Sequence, residues 1–206
     1  MTVAAADLGL YALAILVLFL TPGPVWVALT ARALSGGFAG AWPLAVGVSF
    51  GDLLWPLCAI LGVSWILSVW AGFLGAMTWV AAVTLVAMGG LAIRAADRPL
   101  ASDSRLTRPG RWAGFAAGVA VILANPKAIL FYMGMLPGFF DVARLTAPDI
   151  AVILAVSVAI PLAGNLALAS LVGRARAYLA SPRAVRRTNL AAGLLLIGAG
   201  VLIAIL

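Results

Sequence analysis

Residues 8–34 read LGLYALAILVLFLTPGPVWVALTARAL, two apolar runs separated by Thr21-Pro22-Gly23-Pro24. The run from Leu8 to Leu20 carries no charge, and Arg32 is the one charged residue in the whole stretch. Its length suits a bilayer crossing, which takes about 20 mostly apolar residues. Proline lacks an amide hydrogen and clashes with the preceding turn, so the helix must unwind or kink at Pro22 and Pro24. A secretory signal is a poor account of the same stretch. The residues before it hold Asp7 and no Lys or Arg, and no small-residue cleavage region follows. The stretch therefore predicts a retained membrane helix that breaks near its middle.

The rest of the chain agrees with a membrane setting. Of 206 residues, 65% are apolar and only 9% are charged, and the mean hydropathy is +1.18. A water-soluble domain carries about 25% charged residues because its surface needs polar cover. Hydropathy predicts six spans: about 8–34 broken at 22–24, 40–67, 70–93, 113–140 broken at Asn125-Pro126-Lys127, 150–172 and 189–206. This is an all-α integral membrane protein, with no length left over for a soluble catalytic domain.

Composition also removes whole chemistries. All six acidic residues are Asp, there is no His, and Cys58 is the single cysteine. A lone Cys makes no internal disulfide or redox pair, and metal sites draw on clustered His, Cys or carboxylates, so no metal and no cofactor is expected. Without His there is no Ser-His or Cys-His pair, and an aspartyl dyad needs two facing carboxylates, whereas Asp52 alone lies deep in an apolar stretch. An enzyme is not expected. The net charge of +7 comes from twelve Arg and Lys127, spread at the borders of apolar spans. That distribution marks cytoplasmic membrane loops facing anionic lipid, with no nucleic-acid partner.

Arg94, Arg98, Arg105, Arg108 and Arg111 fall in the third connection, and Arg174, Arg176, Arg183, Arg186 and Arg187 in the fifth. Arg32 borders the first connection, whereas the fourth has only Arg144 with Asp141 and Asp149. The odd-numbered connections thus belong inside and both termini outside. Trp65 and Trp70 at an outer turn and Trp112 at an inner boundary suit the headgroup level. Three spans per half make the halves, 1–93 and 113–206 around the arginine-rich loop 94–112, a candidate inverted repeat. Pro22-Gly23-Pro24 and Asn125-Pro126-Lys127 break corresponding spans, and Gly51-Asp52-Leu53 corresponds to Gly164-Asn165-Leu166. The expected architecture is six transmembrane helices in two inverted three-helix repeats, with the first and fourth helices broken.

These breaks carry the chemistry. Proline suits the first turn of a helix, and Thr21 and Asn125 are good caps, which predicts half-helices starting near Pro24 and Pro126. Each start offers unpaired amides and about +0.5 elementary charge to an anionic group, and Lys127 adds a full charge. Ordinary proline kinks are the plain alternative. Asp52 must face the bundle interior, pair with a cation such as Lys127, or be protonated. Its functional reading is proton coupling or contact with a substrate ammonium; its plain reading is a static ion pair. Asn165 is a candidate substrate contact or an interhelical hydrogen bond. Trp55, three residues after Asp52, is a candidate wall of the site, with packing favoured.

Together, Thr21-Pro22-Gly23-Pro24, Gly47 to Asp52, the arginine-rich central loop and Asn125-Pro126-Lys127-Ala128 resemble the lysine exporter and homoserine/threonine resistance family of bacterial amino-acid exporters. The resemblance implies a six-helix inner-membrane protein that exports amino acids or related metabolites on the proton gradient. It implies motif positions Pro22, Gly23, Pro24, Gly51, Asp52, Asn125, Pro126 and Lys127. The leading expectation is a secondary exporter of small zwitterions, with Thr21, Pro22, Gly23, Pro24, Asn125, Pro126, Lys127, Asn165 and Trp55 at the substrate and Asp52 coupling protons. Its partners are the substrate, protons and membrane lipid, with a homodimer left open. An intramembrane enzyme is the alternative, suggested by Ser49-Phe50-Gly51-Asp52, and a passive channel is another.

Overall fold

The computed structural model describes residues 2–70 and 110–179, together with isolated positions between 72 and 94 and between 183 and 201. The spans expected at 70–93 and 189–206, the loop 94–112 and the repeat boundaries fall largely outside the described residues. No strand occurs among the described residues. Among the described residues two helical stretches are long and apolar enough to cross a membrane, Pro24–Gly62 and Ala147–Ala175, with mean hydropathies of 1.8 and 2.2. A bent pair, Arg111–Leu123 with Pro126–Phe139, makes a third if taken as one span.

The broken first span is present. Helix α1, Ala5–Leu20, ends at Thr21, and α2, Pro24–Val69, starts on the second proline of the break. Within α2, Gly37 takes φ 65° and ψ −163°, a backbone setting that glycine adopts without a Cβ clash. In an unbroken helix residues 32 and 40 would lie about 12 Å apart along the axis. Here Arg32 Nε donates to the Gly40 carbonyl at 2.8 Å, and a Cβ on Gly40 would sit 3.4 Å from the Arg32 carbonyl oxygen. The chain doubles back at Gly37. Residues 24–36 and 38–69 are thus two helical arms, joined at a single kink where the sequence placed a connection.

Helix α3, Arg111–Leu123, and helix α4, Pro126–Phe139, meet at a 52° bend where the fourth span was expected to break. Residues Phe131–Met135 of α4 form a π-helical turn. After a short 3-10 turn, Val142–Arg144, helix α5 runs from Ala147 to Leu179. It continues past residue 172, so Arg174 and Arg176 are helical and not part of a connection as expected. Arginine is a good helix former, and no proline stands between residue 172 and Leu179 to stop the helix.

Small residues let these helices approach. A Cβ on Gly47 would lie 2.1 Å from the Phe115 carbonyl oxygen, and one on Gly118 would lie 2.2 Å from that of Leu44. Gly51 faces Ile122 in the same way, at 2.4 Å. Residues four apart share a helix face, so Gly47 and Gly51 on α2 meet α3 along one seam. On α5, Gly164 abuts the ring of Phe19 and Gly173 abuts the backbone at Gly37 and Phe38.

Two ends of the bundle can be told apart. At one, Asp149 in the first turn of α5 accepts hydrogen bonds from the Thr2 and Val3 amides, the Thr2 hydroxyl, and the amide and hydroxyl of Thr146. At the other, the Gly37 kink meets Gly173, and Arg32 Nη2 donates to the Gly110 carbonyl at 3.3 Å. From Asp149 to Gly173, α5 rises about 36 Å. The chain start and the turn before α5 therefore share one end, and the Gly37 kink shares the other with the start of α3.

Candidate functional site

The break after α1 creates orphan carbonyls. In a continuing helix the Leu18 carbonyl would accept from the amide of residue 22, and Pro22 has none. Lys127 fills that gap from the facing break. Its ammonium donates to the Leu18 carbonyl at 2.7 Å and also to the Thr21 carbonyl. Trp26 similarly donates from Nε1 to the Phe19 carbonyl at 2.7 Å. The negative end of the α1 dipole is thus capped by a cation. Thr21 does not cap α2 as expected. It is the C-cap of α1, and its hydroxyl turns back to the Val17 carbonyl at 2.8 Å, a bond that serine and threonine make readily to the i−4 carbonyl.

Asn125 does cap the second half-helix. Its Oδ1 accepts from the Lys127 amide at 3.2 Å, with Pro126 in the first turn. The two breaks therefore interlock. Lys127 leaves the start of α4 and ends on the finish of α1, and Gly23 lies against it, a Cβ there being 3.5 Å from Lys127 Cε.

Between the breaks lies a cavity of about 40 Å³. Leu18, Phe19, Val25, Trp26, Asp52, Asn125, Lys127 and Asn165 are among its lining residues. Asp52 and Asn165 are 4% and 2% exposed, and Asp52 Oδ2 and Asn165 Oδ1 have no hydrogen-bond partner. A buried acceptor left unpaired costs about 1–3 kcal/mol, so two of them beside one cavity mark a place prepared for a donor. The other carboxylate oxygen of Asp52 accepts a long hydrogen bond, 3.4 Å, from the Tyr132 hydroxyl. Lys127 points its ammonium at main-chain carbonyls, so the static Asp52–Lys127 ion pair weighed from the sequence is not how either group is held.

Of the ten residues singled out from the sequence, Asp52, Asn125, Lys127 and Asn165 meet at this cavity. Thr21, Pro22, Gly23, Pro24 and Pro126 shape the two breaks beside it. Trp55 stands apart from it and donates from Nε1 to the Ile122 carbonyl at 3.2 Å, joining α2 to the end of α3. Phe19, Trp26 and Tyr132 were not singled out. Trp26, two residues past the Pro24 break, could have been; Tyr132 lies eighty residues from Asp52 and gives no signal in the linear chain. Among the described residues no group of His, Cys, Asp or Glu could hold a metal ion.

Comparison with known proteins concerns the chain as a whole. An uncharacterized membrane protein of Synechocystis is 29% identical over 192 residues, 93% of this chain and 92% of its own length. The chemotactic transduction protein ChpE of Pseudomonas aeruginosa is 30% identical over 112 residues, 54% of each chain. YcgF of Bacillus subtilis, whose name proposes amino acid efflux, is 28% identical over 114 residues, 55% of this chain and 54% of its own. No solved structure matches the chain. The family model of the LysE type translocators matches residues 16–206, which takes in both helix breaks, Asp52 and Asn165. The chain belongs to the LysE type translocator family, and it is a multi-pass membrane protein.

Proposed function

We propose that the protein is a secondary active exporter that moves amino acids or closely related small zwitterions out of the cell across the bacterial inner membrane, in exchange for protons. The observation that carries this reading is the unpaired, buried Asp52 carboxylate oxygen beside the two broken helices, in a chain of a translocator family. The efflux activity proposed in the name of YcgF supports amino acids as the substrate class. Broken helices that aim their termini at a midplane site are how many secondary transporters hold a zwitterion and a coupling ion.

The substrate ammonium would donate to Asp52 Oδ2 and Asn165 Oδ1, which both lack donors. The substrate carboxylate would take Lys127 and the start of α4, drawing the ammonium away from the Leu18 and Thr21 carbonyls. A cavity of about 40 Å³ has room for little more than a water, so loading requires α1 and α4 to part at the breaks. A proton on Asp52 would compete with the substrate ammonium for the same carboxylate, which gives exchange.

The test is efflux from proteoliposomes preloaded with a mixture of the common amino acids, with and without an imposed pH gradient. Gradient-dependent loss of one chemical group is expected, with the gradient response abolished in Asp52→Asn. Full proton-coupled export by Asp52→Asn would refute the coupling role. Loss that only follows concentration would point to a passive pore.

A further inference from the structure

Tyr132 is wholly buried, lies in the π-helical turn of α4, and has its hydroxyl between two acceptors. One is Asp52 Oδ1 on α2 at 3.4 Å; the other is the Ser157 carbonyl on α5 at 3.5 Å. A phenol has a single hydrogen to donate, so it serves one acceptor well or both poorly. Both distances are long for an O–H···O bond, which is the arrangement of a shared hydrogen. The two oxygens of Asp52 thus differ. Oδ2 has no hydrogen-bond partner, whereas Oδ1 looks at a hydroxyl that reaches a third helix.

The groups around Asp52 among the described residues are otherwise engaged. From α4, Lys127 shares the cavity with Asp52, and its ammonium is held by the Leu18 and Thr21 carbonyls. From α1, the Tyr11 phenol lies near but exchanges its hydrogen bond with Ser157 Oγ at 2.6 Å. From α5, Asn165 shares the cavity, and the Ser157 hydroxyl donates to the Ile153 carbonyl at 2.7 Å. Ile122 of α3 and Asn125, the cap of α4, line the same cavity.

We infer that Tyr132 is the positioning residue that reads the charge on Asp52 and passes it to α5, by switching its hydroxyl between the Asp52 carboxylate and the Ser157 carbonyl. This rests on the proton-exchange reading above. With Asp52 ionised, the phenol donates to Oδ1. When Asp52 takes a proton it gains an O–H, which donates to the Tyr132 oxygen, and the phenol hydrogen rotates to the Ser157 carbonyl. No proton leaves Tyr132, and one proton is added to the site. Both charge states then keep their hydrogen bonds, and the protonated state ties α4 more firmly to α5. The π-helical turn sets this register, and such turns are frequent at functional sites.

Infrared difference spectra of the purified protein over a pH titration read the carboxyl group directly, the Asp52 band being assigned by its loss in Asp52→Asn. In Tyr132→Phe the band should move to higher wavenumber, as the carboxyl loses its partner. Gradient stimulation of efflux from liposomes loaded with mixed amino acids should fall at least fivefold. Tyr11→Phe, whose hydroxyl meets Ser157 Oγ, should leave the band in place. A Tyr132→Phe protein with an unmoved band and wild-type gradient stimulation overturns the inference while sparing the exchange reading. A wild-type protein with no Asp52 band and no gradient response overturns the exchange reading itself. If Tyr132→Phe does not fold, 3,5-difluorotyrosine at position 132 keeps ring and hydroxyl but makes the phenol more acidic. The pH midpoint of the band should then shift by half a unit or more, and an unshifted midpoint overturns the inference.

Discussion

At the residue scale, the proline break explains why Lys127 sits where it does. Pro22 takes away the amide that the Leu18 carbonyl would have used, and the Lys127 ammonium replaces it, with the Thr21 carbonyl as its second acceptor. Lys127→Met keeps most of the aliphatic stem and removes both bonds. Leaving two carbonyls unpaired at about 1–3 kcal/mol each should lower the thermal midpoint in detergent by roughly 4–24 °C. An unchanged midpoint would show that α1 is capped by other means. Asp52 is the complementary case, a buried carboxylate with one unpaired oxygen, a cost in stability that the proposed coupling role would account for. Sequence inspection located both residues by the rarity of charge inside apolar runs. It misjudged Thr21, because a hydroxyl beside a break can cap the helix after it or bond back to the helix before it, and here it bonds back.

At the scale of the elements, α2 and α3 pack closely enough that side chains are excluded from the seam. Gly47→Ala would drive its Cβ to 2.1 Å from the Phe115 carbonyl oxygen, a main-chain atom that cannot rotate away. Gly51→Ala first meets the Ile122 side chain, at 2.4 Å from Cγ2. Overpacking costs about 1–3 kcal/mol. Both variants should therefore unfold at lower denaturant concentration than the wild type. Adding Ile122→Ala should recover part of the loss in Gly51→Ala and none in Gly47→Ala. Equal rescue of the two would mean that the seam is looser than the contacts require. The helix breaks at 22–24 and 125–127 were legible because proline acts through its own backbone. The Gly37 kink was not, since glycine permits such a turn without requiring it, and the expected connection was accordingly drawn longer.

At the scale of the whole molecule, two ends are defined by independent contacts, Asp149 with Thr2 and Val3 at one and Gly37 with Gly173 at the other. On the arginine distribution we propose that the second end faces the cytoplasm. In a Cys58→Ser background, Ala147→Cys should react in intact cells with a membrane-impermeant maleimide, and Ser35→Cys should react only after lysis. The reverse pattern would invert the orientation, and labelling of both from one side would contradict the fold. The arrangement also ties α1 to α5, through Asp149 and Thr2, Tyr11 and Ser157, and Phe19 and Gly164. Any opening at the breaks must therefore either carry α1 with α5 or separate them along this line.

Residue order along the chain was enough to settle the solvent, the helical class, the places where two helices break, and the charged residues that a bilayer tolerates only for cause. Each of these follows from local chemistry, either hydropathy summed over about 20 residues or the missing amide of proline. Tertiary structure alone decided the partners. It gave Lys127 to the end of α1 and not to Asp52, Trp55 to Ile122 and not to the cavity, and Tyr132 to both Asp52 and Ser157. Which donor meets which acceptor depends on how helices distant in sequence are rotated and spaced, and only packing sets that.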